Sequence, residues 1–226
     1  MAEDVGQPQP DPSVRSVLHQ MGLASNDLRS SVLAGYEESA RVTENDVATR
    51  AGYIEWATPL RHLGDLYVPR GFNRARPGGF EVLRSPDASF DIAVAKGNYA
   101  TGLNDRMPTT FTKRGPLTGQ AVTGNRNQLR LRTNVLAFDR RKTHTATSTG
   151  RWTWLLLHHH DERQAEIRVE LSAPVEFDGA EEGRDGTVTQ FEPRLILPPI
   201  SLLSANPADE EEDDGDEDID IPISRR

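Results

Sequence analysis

Three consecutive histidines, His158, His159 and His160, close the run Trp152-Thr-Trp-Leu-Leu-Leu157 and are followed by Asp161. Imidazole is a metal ligand and a proton carrier near neutral pH. On a strand, residues two apart share a face, so His158 and His160 could reach one ion together. A metal site needs a third and usually a fourth ligand. His62, His144 and Asp161 are available, but none stands in a known ligand pattern, and the chain has no cysteine to supply a thiolate. The histidines therefore support two readings. In one, His158, His160 and a nearby carboxylate serve a metal-dependent hydrolase. In the other, preferred here, they carry a strand from core to water where its apolar pattern ends, and no metal is expected.

Other catalytic patterns are incomplete. Glu166, Arg168 and Glu170 share one face of a second strand, where alternating charges more often form cross-strand pairs than an acid–base couple. No lysine stands two residues after a carboxylate as in many nucleases; Glu166-Ile-Arg168 comes nearest. Lys113-Arg-Gly-Pro-Leu-Thr-Gly-Gln120 lacks the order of a phosphate-binding loop. Neither a dinucleotide fingerprint nor a serine nucleophile elbow occurs. These absences favour a non-enzymatic binding or regulatory module without a cofactor.

The strongest global signal is charge. Residues 61–151 carry 16 basic and 6 acidic side chains, while residues 152–226 carry 6 basic and 20 acidic ones. No carboxylate lies between Asp105 and Asp139, a stretch that holds Arg106, Lys113, Arg114, Arg126, Arg130 and Arg132. Together with neutral donors such as Asn98, Thr110, Thr118, Asn125 and Asn127, it suits contacts to phosphates, which position a protein on nucleic acid without reading its sequence. The candidate phosphate-binding residues are Arg114, Arg126, Arg130, Arg132, Arg140 and Arg141. Aromatic residues in this segment are few (Tyr99, Phe111, Phe138), so stacking on single strands has little support. The acidic run Asp209–Asp218 could screen the basic segment, or could act only as a solubilising tail. Binding of a protein partner through a sheet edge or the tail is the further alternative.

The elements that would position these groups follow from periodicity. Asp11-Pro12 reads as a helix start, with Val14, Val17, Leu18 and Met21 on one face and Gly22 as the stop. A second helix begins at Ser25 or Asn26 and carries Leu28, Val32, Leu33 and Tyr36 inward. Thr43 and Asp46 have capping-box spacing before a third, with Ile54 and Leu60 inward, an expected break or kink at Pro59, and an end near Gly64. A helix-turn-helix reader of DNA is disfavoured, because the second helix offers only Arg29 among Asp27, Glu37 and Glu38.

From Leu66 the pattern turns to strands: Phe80–Arg84, Phe90–Ala95, the short pair Leu129–Arg132 and Val135–Phe138, then Trp152–His158, Ala165–Ser172, Val175–Phe177, Thr187–Phe191 and Arg194–Leu197. Leucines on both faces of Trp152–His158 mark an internal strand covered on both sides. The expected fold class is α+β, a helical N-terminal unit packed on a mainly antiparallel sheet. Its organisation reads as a disordered leader (1–10), a single domain (11–204) and a disordered acidic tail (205–226). Within the domain, 11–65 is helical and 66–204 β-rich, with a long basic loop region over 97–151 relieved by one short helix after Pro116. No apolar run is long enough to span a bilayer, and the N-terminus lacks signal-peptide character. Absent cysteine and abundant arginine over lysine fit a cytoplasmic protein from a GC-rich bacterial genome.

Overall fold

The computed structural model describes residues 9–131, 150–179 and 185–203. Helix α1 (Pro12–Gln20) starts as its sequence requires: the Asp11 carboxylate accepts the Ser13 amide at 2.8 Å, and proline occupies the first turn. It ends in a Schellman motif. Gly22 takes φ +72°, its amide reaches His19 O at 3.0 Å, and the Leu23 amide reaches Leu18 O at 2.9 Å. Leu18 and Leu23 are both buried beside this turn.

Helix α2 (Ser25–Ser39) and helix α3 (Arg50–Tyr67) pack closely against each other. Pro59 lies inside α3, which runs three residues beyond the expected end at Gly64. The proline ring fills the space over Gly35 of α2, where an added Cβ would stand 2.6 Å from Pro59 Cγ. The predicted capping pair forms only a separate turn. Asp46 accepts the Thr43 amide at 2.9 Å, but α3 begins four residues later, with Arg50 ion-paired back to Asp46. Arg29, the only cation of α2, is buried and donates to Asn26 and to Pro199 O. That helix thus turns its one candidate base-reading donor into the fold.

Among the described residues the sheet has seven strands: β1 (Asn73–Ala75), β2 (Val82–Arg84), β3 (Phe90–Lys96), β4 (Trp152–Asp161), β5 (Glu166–Phe177), β6 (Val188–Ile196) and β7 (Ile200–Ser201). The order is β1-β2-β3-β4-β5-β6, with β7 beside the start of β5. All neighbours are antiparallel except β3 and β4, in register from Phe90↔Trp152 to Lys96↔His158. A parallel pair needs a long crossover, and residues 97–151 provide it. The fold is α+β, with four helices and a mainly antiparallel mixed sheet.

Strand β4 is covered on both faces, as its leucines require. Trp152, Trp154 and Leu156 join the core beneath α1, α2 and α3, together with Phe90, Ile92, Val94, Val169 and Leu171. Leu155 and Leu157 point the other way, into a smaller core with Ala93, Ala95, Val122, Val188 and Phe191. The helix expected after Pro116 forms as α4 (Pro116–Leu131), but it runs 16 residues, so Leu129 to Leu131 belong to it rather than to the expected strand. Its inner face runs Thr118, Val122, Asn125 and Leu129, a helical spacing in which polar side chains hold two of the four positions.

Two further pairs of predicted strands merge. Val175–Phe177 continues β5 through register shifts around Pro174, and β6 runs unbroken from Val188 to Ile196. The segment Thr110–Arg114 closes this side by bonding to both β3 and the β6 end. Phe111 donates to Lys96 O at 2.9 Å and Thr110 to Val188 O at 3.2 Å, while Arg114 and Gly186 exchange backbone bonds. The edge of β3 beyond β2 is covered in this way, as exposed edges in native sheets usually are.

Candidate functional site

The three histidines occupy three environments. His158 faces α3, is 7% exposed, and stands across from Lys96, whose Nζ pairs with Glu55 at 2.8 Å. Burial pushes its pKa down to about 4, against the pull of the Glu55 charge. His159 points to the opposite face, and burial lowers its pKa too, opposed by the Gly97 backbone. His160 returns to the helical side, its ring 4.8 Å from that of Tyr36. Asp161 is held by Arg168 Nη2 at 2.8 Å. His62 sits on α3, and His144 lies outside the described residues. Among the described residues no three His, Asp or Glu side chains gather as metal ligands. The pair His158 and His160 thus stands divided between a buried site under α3 and a ring contact with α2.

Beside the β4–β5 hairpin an open groove of about 700 Å³ is lined by Tyr99, Arg106, His159, His160, Arg163 and Arg168, among others. Its three arginines are matched by Asp105, Asp161 and Glu162 in the same wall. The groove therefore has no net charge to gather an anion. Below it, Glu170 is fully buried. Its carboxylate accepts from Ser172 Oγ at 2.9 Å, from the Gly102 amide at 2.9 Å and from the Arg194 guanidinium. Arg194 also donates to Arg106 O at 2.8 Å and Leu103 O at 3.0 Å. This hub fixes the start of the crossover against the sheet, and the alternating Glu166–Arg168–Glu170 face contributes to it as packing.

The predicted phosphate-binding arginines divide by visibility. Arg132, Arg140 and Arg141 lie outside the described residues, and so does the Arg130 side chain, although its backbone is in α4. Arg114 Nη2 donates to Val94 O at 3.2 Å, and burial lowers its pKa. Arg126 is exposed, and its Nε donates to Val175 O at 3.1 Å. Neither has a carboxylate within ion-pair distance among the described residues, nor has exposed Lys113, whereas Arg84, Arg168 and Arg194 are all paired. Carbonyls fix a guanidinium in place while leaving its charge whole, since arginine stays protonated.

Some neutral donors of the segment are consumed internally. Thr110, Thr118 and Asn125 are buried, and the Asn125 amide nitrogen reaches Thr153 O at 2.8 Å and Pro174 O at 3.0 Å.

Sequence reasoning missed the aromatic rings that reach this segment from elsewhere. Trp56 of α3, Phe80 and Glu81 share a small cavity of about 180 Å³ with Arg114. Tyr53, 63% exposed, meets Trp56 edge-on at 5.6 Å. They join Phe111 of the segment itself, which is 65% exposed and lies under Lys96 Nζ at 5.6 Å. The signal that could have found them is the pair Tyr53 and Trp56, two large rings off the Ile54 and Leu60 inner positions of the third helix.

No protein-family model matches the chain, and no curated protein or solved structure matches it. The site's own geometry is what bears on function.

Proposed function

We propose that this chain is a non-enzymatic binding or regulatory module that takes nucleic acid through its basic central segment. The observation that carries the reading is the trio Lys113, Arg114 and Arg126, whose charges have no carboxylate partner among the described residues although two are fixed by carbonyls. Positioned, un-neutralised cations are what phosphate contacts require, and each such contact releases counterions. Arg130, Arg132, Arg140 and Arg141 extend the same segment, with Asp139 the one acid among them. The acidic run Asp209–Asp218 competes for these cations and suppresses weak binding.

The test is fluorescence anisotropy with labelled DNA and RNA, at low and moderate salt, on the full chain and on a chain ending at Ser204. Binding should weaken steeply with salt and strengthen on truncation. Lys113→Ala and Arg126→Ala should each flatten the slope of log K against log salt by roughly one unit. Absence of binding by either chain at low salt would sink the proposal.

A further inference from the structure

We infer that the nucleic acid taken by this surface is single-stranded, its bases stacking on Tyr53, Trp56 and Phe111 while its phosphates meet Lys113, Arg114 and Arg76. The inference rests on the reading above and names the form of its ligand. The central segment alone is poor in aromatics, but the fold repairs that deficit. Helix α3 brings Tyr53 and Trp56 to it, and Lys96 bridges the two parts, paired to Glu55 at 2.8 Å and lying over Phe111.

Tyr53 and Phe111 are among the most exposed large apolar side chains of the described residues. Both expose ring surface that packing within the chain does not use. The surrounding charge favours an anion. Lys96, Lys113, Arg114, Arg74 and Arg76 stand against Glu55, Glu81 and Asp185 (which lies beside Gly115), with Glu81 already shared between Arg74 and Arg76. Rings interleaved with cations are the platform on which unpaired bases stack, because every base has a π-face whereas a duplex hides it. A duplex would engage the cations and leave the rings idle. A protein partner could use the rings but gains little from five cations.

The experiment compares an oligothymidylate with a duplex of equal length, on the full chain at low salt. The wild-type chain should prefer the single strand. Tyr53→Ala and Phe111→Ala should each raise the single-strand Kd about tenfold and leave the duplex Kd unchanged. Both positions are exposed, so folding should survive, and Phe111→Trp should restore affinity. Trp152 and Trp154 are 5% and 2% exposed, so quenching of tryptophan emission by the oligonucleotide should come from Trp56 and vanish in Trp56→Phe.

Equal affinity for both forms, or single-strand affinity indifferent to Tyr53 and Phe111, would overturn this inference and leave the nucleic-acid reading standing. Failure of both forms to bind would overturn the two together.

Discussion

Beneath α1, α2 and α3, strand β4 buries Trp152, Trp154 and Leu156 among apolar neighbours; on its other face the adjoining strands hold Glu170, Ser172 and Arg194 under an irregular crossover. On the first face each large side chain removed from water contributes about 1.5–3 kcal/mol, without directional demands. On the second, a buried ion pair roughly offsets its own desolvation, so its net contribution is small while the cost of breaking it is large. The comparison separates stability from specificity. The helical face holds the fold together, and the polar face decides where the crossover lies, and with it Phe111, Lys113 and Arg114.

The sharpest way to break that contrast is Glu170→Gln. The shape is kept, but Arg194 then stands without its buried counter-charge, and one amide hydrogen faces donors that formerly met a carboxylate. The expected loss is about 4 kcal/mol in urea unfolding. Hydrogen exchange should quicken first at Gly102, the amide that Glu170 holds. If Glu170→Gln unfolded at the wild-type denaturant concentration, the polar face would have no role in stability and the contrast would fail.

The same division explains what was legible in the sequence. Leu28, Val32, Ile54 and Leu60 repeat at helical spacing, so α2 and α3 could be read directly, and alternation in Trp152–His158 gave a strand with two buried faces. Pro116 marked the start of helix α4, but its length was obscured because Thr118 and Asn125 hold inner positions that apolar residues usually mark. Periodicity read from hydrophobicity cannot see a helix docked by hydrogen bonds. Pro59 misled for the opposite reason: a local rule predicted a break, and tertiary packing on Gly35 preserved the helix. The basic segment was visible as composition. Its aromatic complement was invisible, because Tyr53 and Trp56 are more than fifty residues from Phe111, Lys113 and Arg114 along the chain and meet them only through α3.

His158 offers a second test, since it is an ionisable group on the apolar face. Its folded pKa of about 4 lies below the unfolded value near 6.5. The unfolded chain therefore binds a proton that the folded chain refuses between those values. Stability should fall as pH drops from about 6.5 towards about 4, by roughly 3 kcal/mol in total, and level off for this group below that. Above pH 7 the group is neutral in both states and contributes no slope. His158→Leu should remove this part of the acid sensitivity, measured as the difference between wild-type and variant unfolding free energies across the window. A constant difference would mean that the imidazole is not held neutral under α3.

The smallest of the three effects sharpens the contrast within the polar face, by asking whether α4 is docked by hydrogen bonds or by Val122. Asn125 makes three bonds at once: its nitrogen donates to Thr153 O and Pro174 O, and its oxygen accepts the Thr153 amide at 2.9 Å. Asn125→Ala strands these buried backbone groups on β4 and β5. Each would cost about 1–3 kcal/mol if left dry, but the space vacated beside Thr153 is polar and can take water, so the expected loss is about 2 kcal/mol. Val122→Ala removes two methyls from the small core on the same helix turn, and should cost about the same by loss of transfer energy and packing. The two variants should differ in what moves. Asn125→Ala should loosen α4 from both strands and quicken exchange at the Thr153 amide, whereas Val122→Ala should leave that amide protected. Equal protection in both variants would assign the docking of α4 to its apolar contact and make the asparagine incidental.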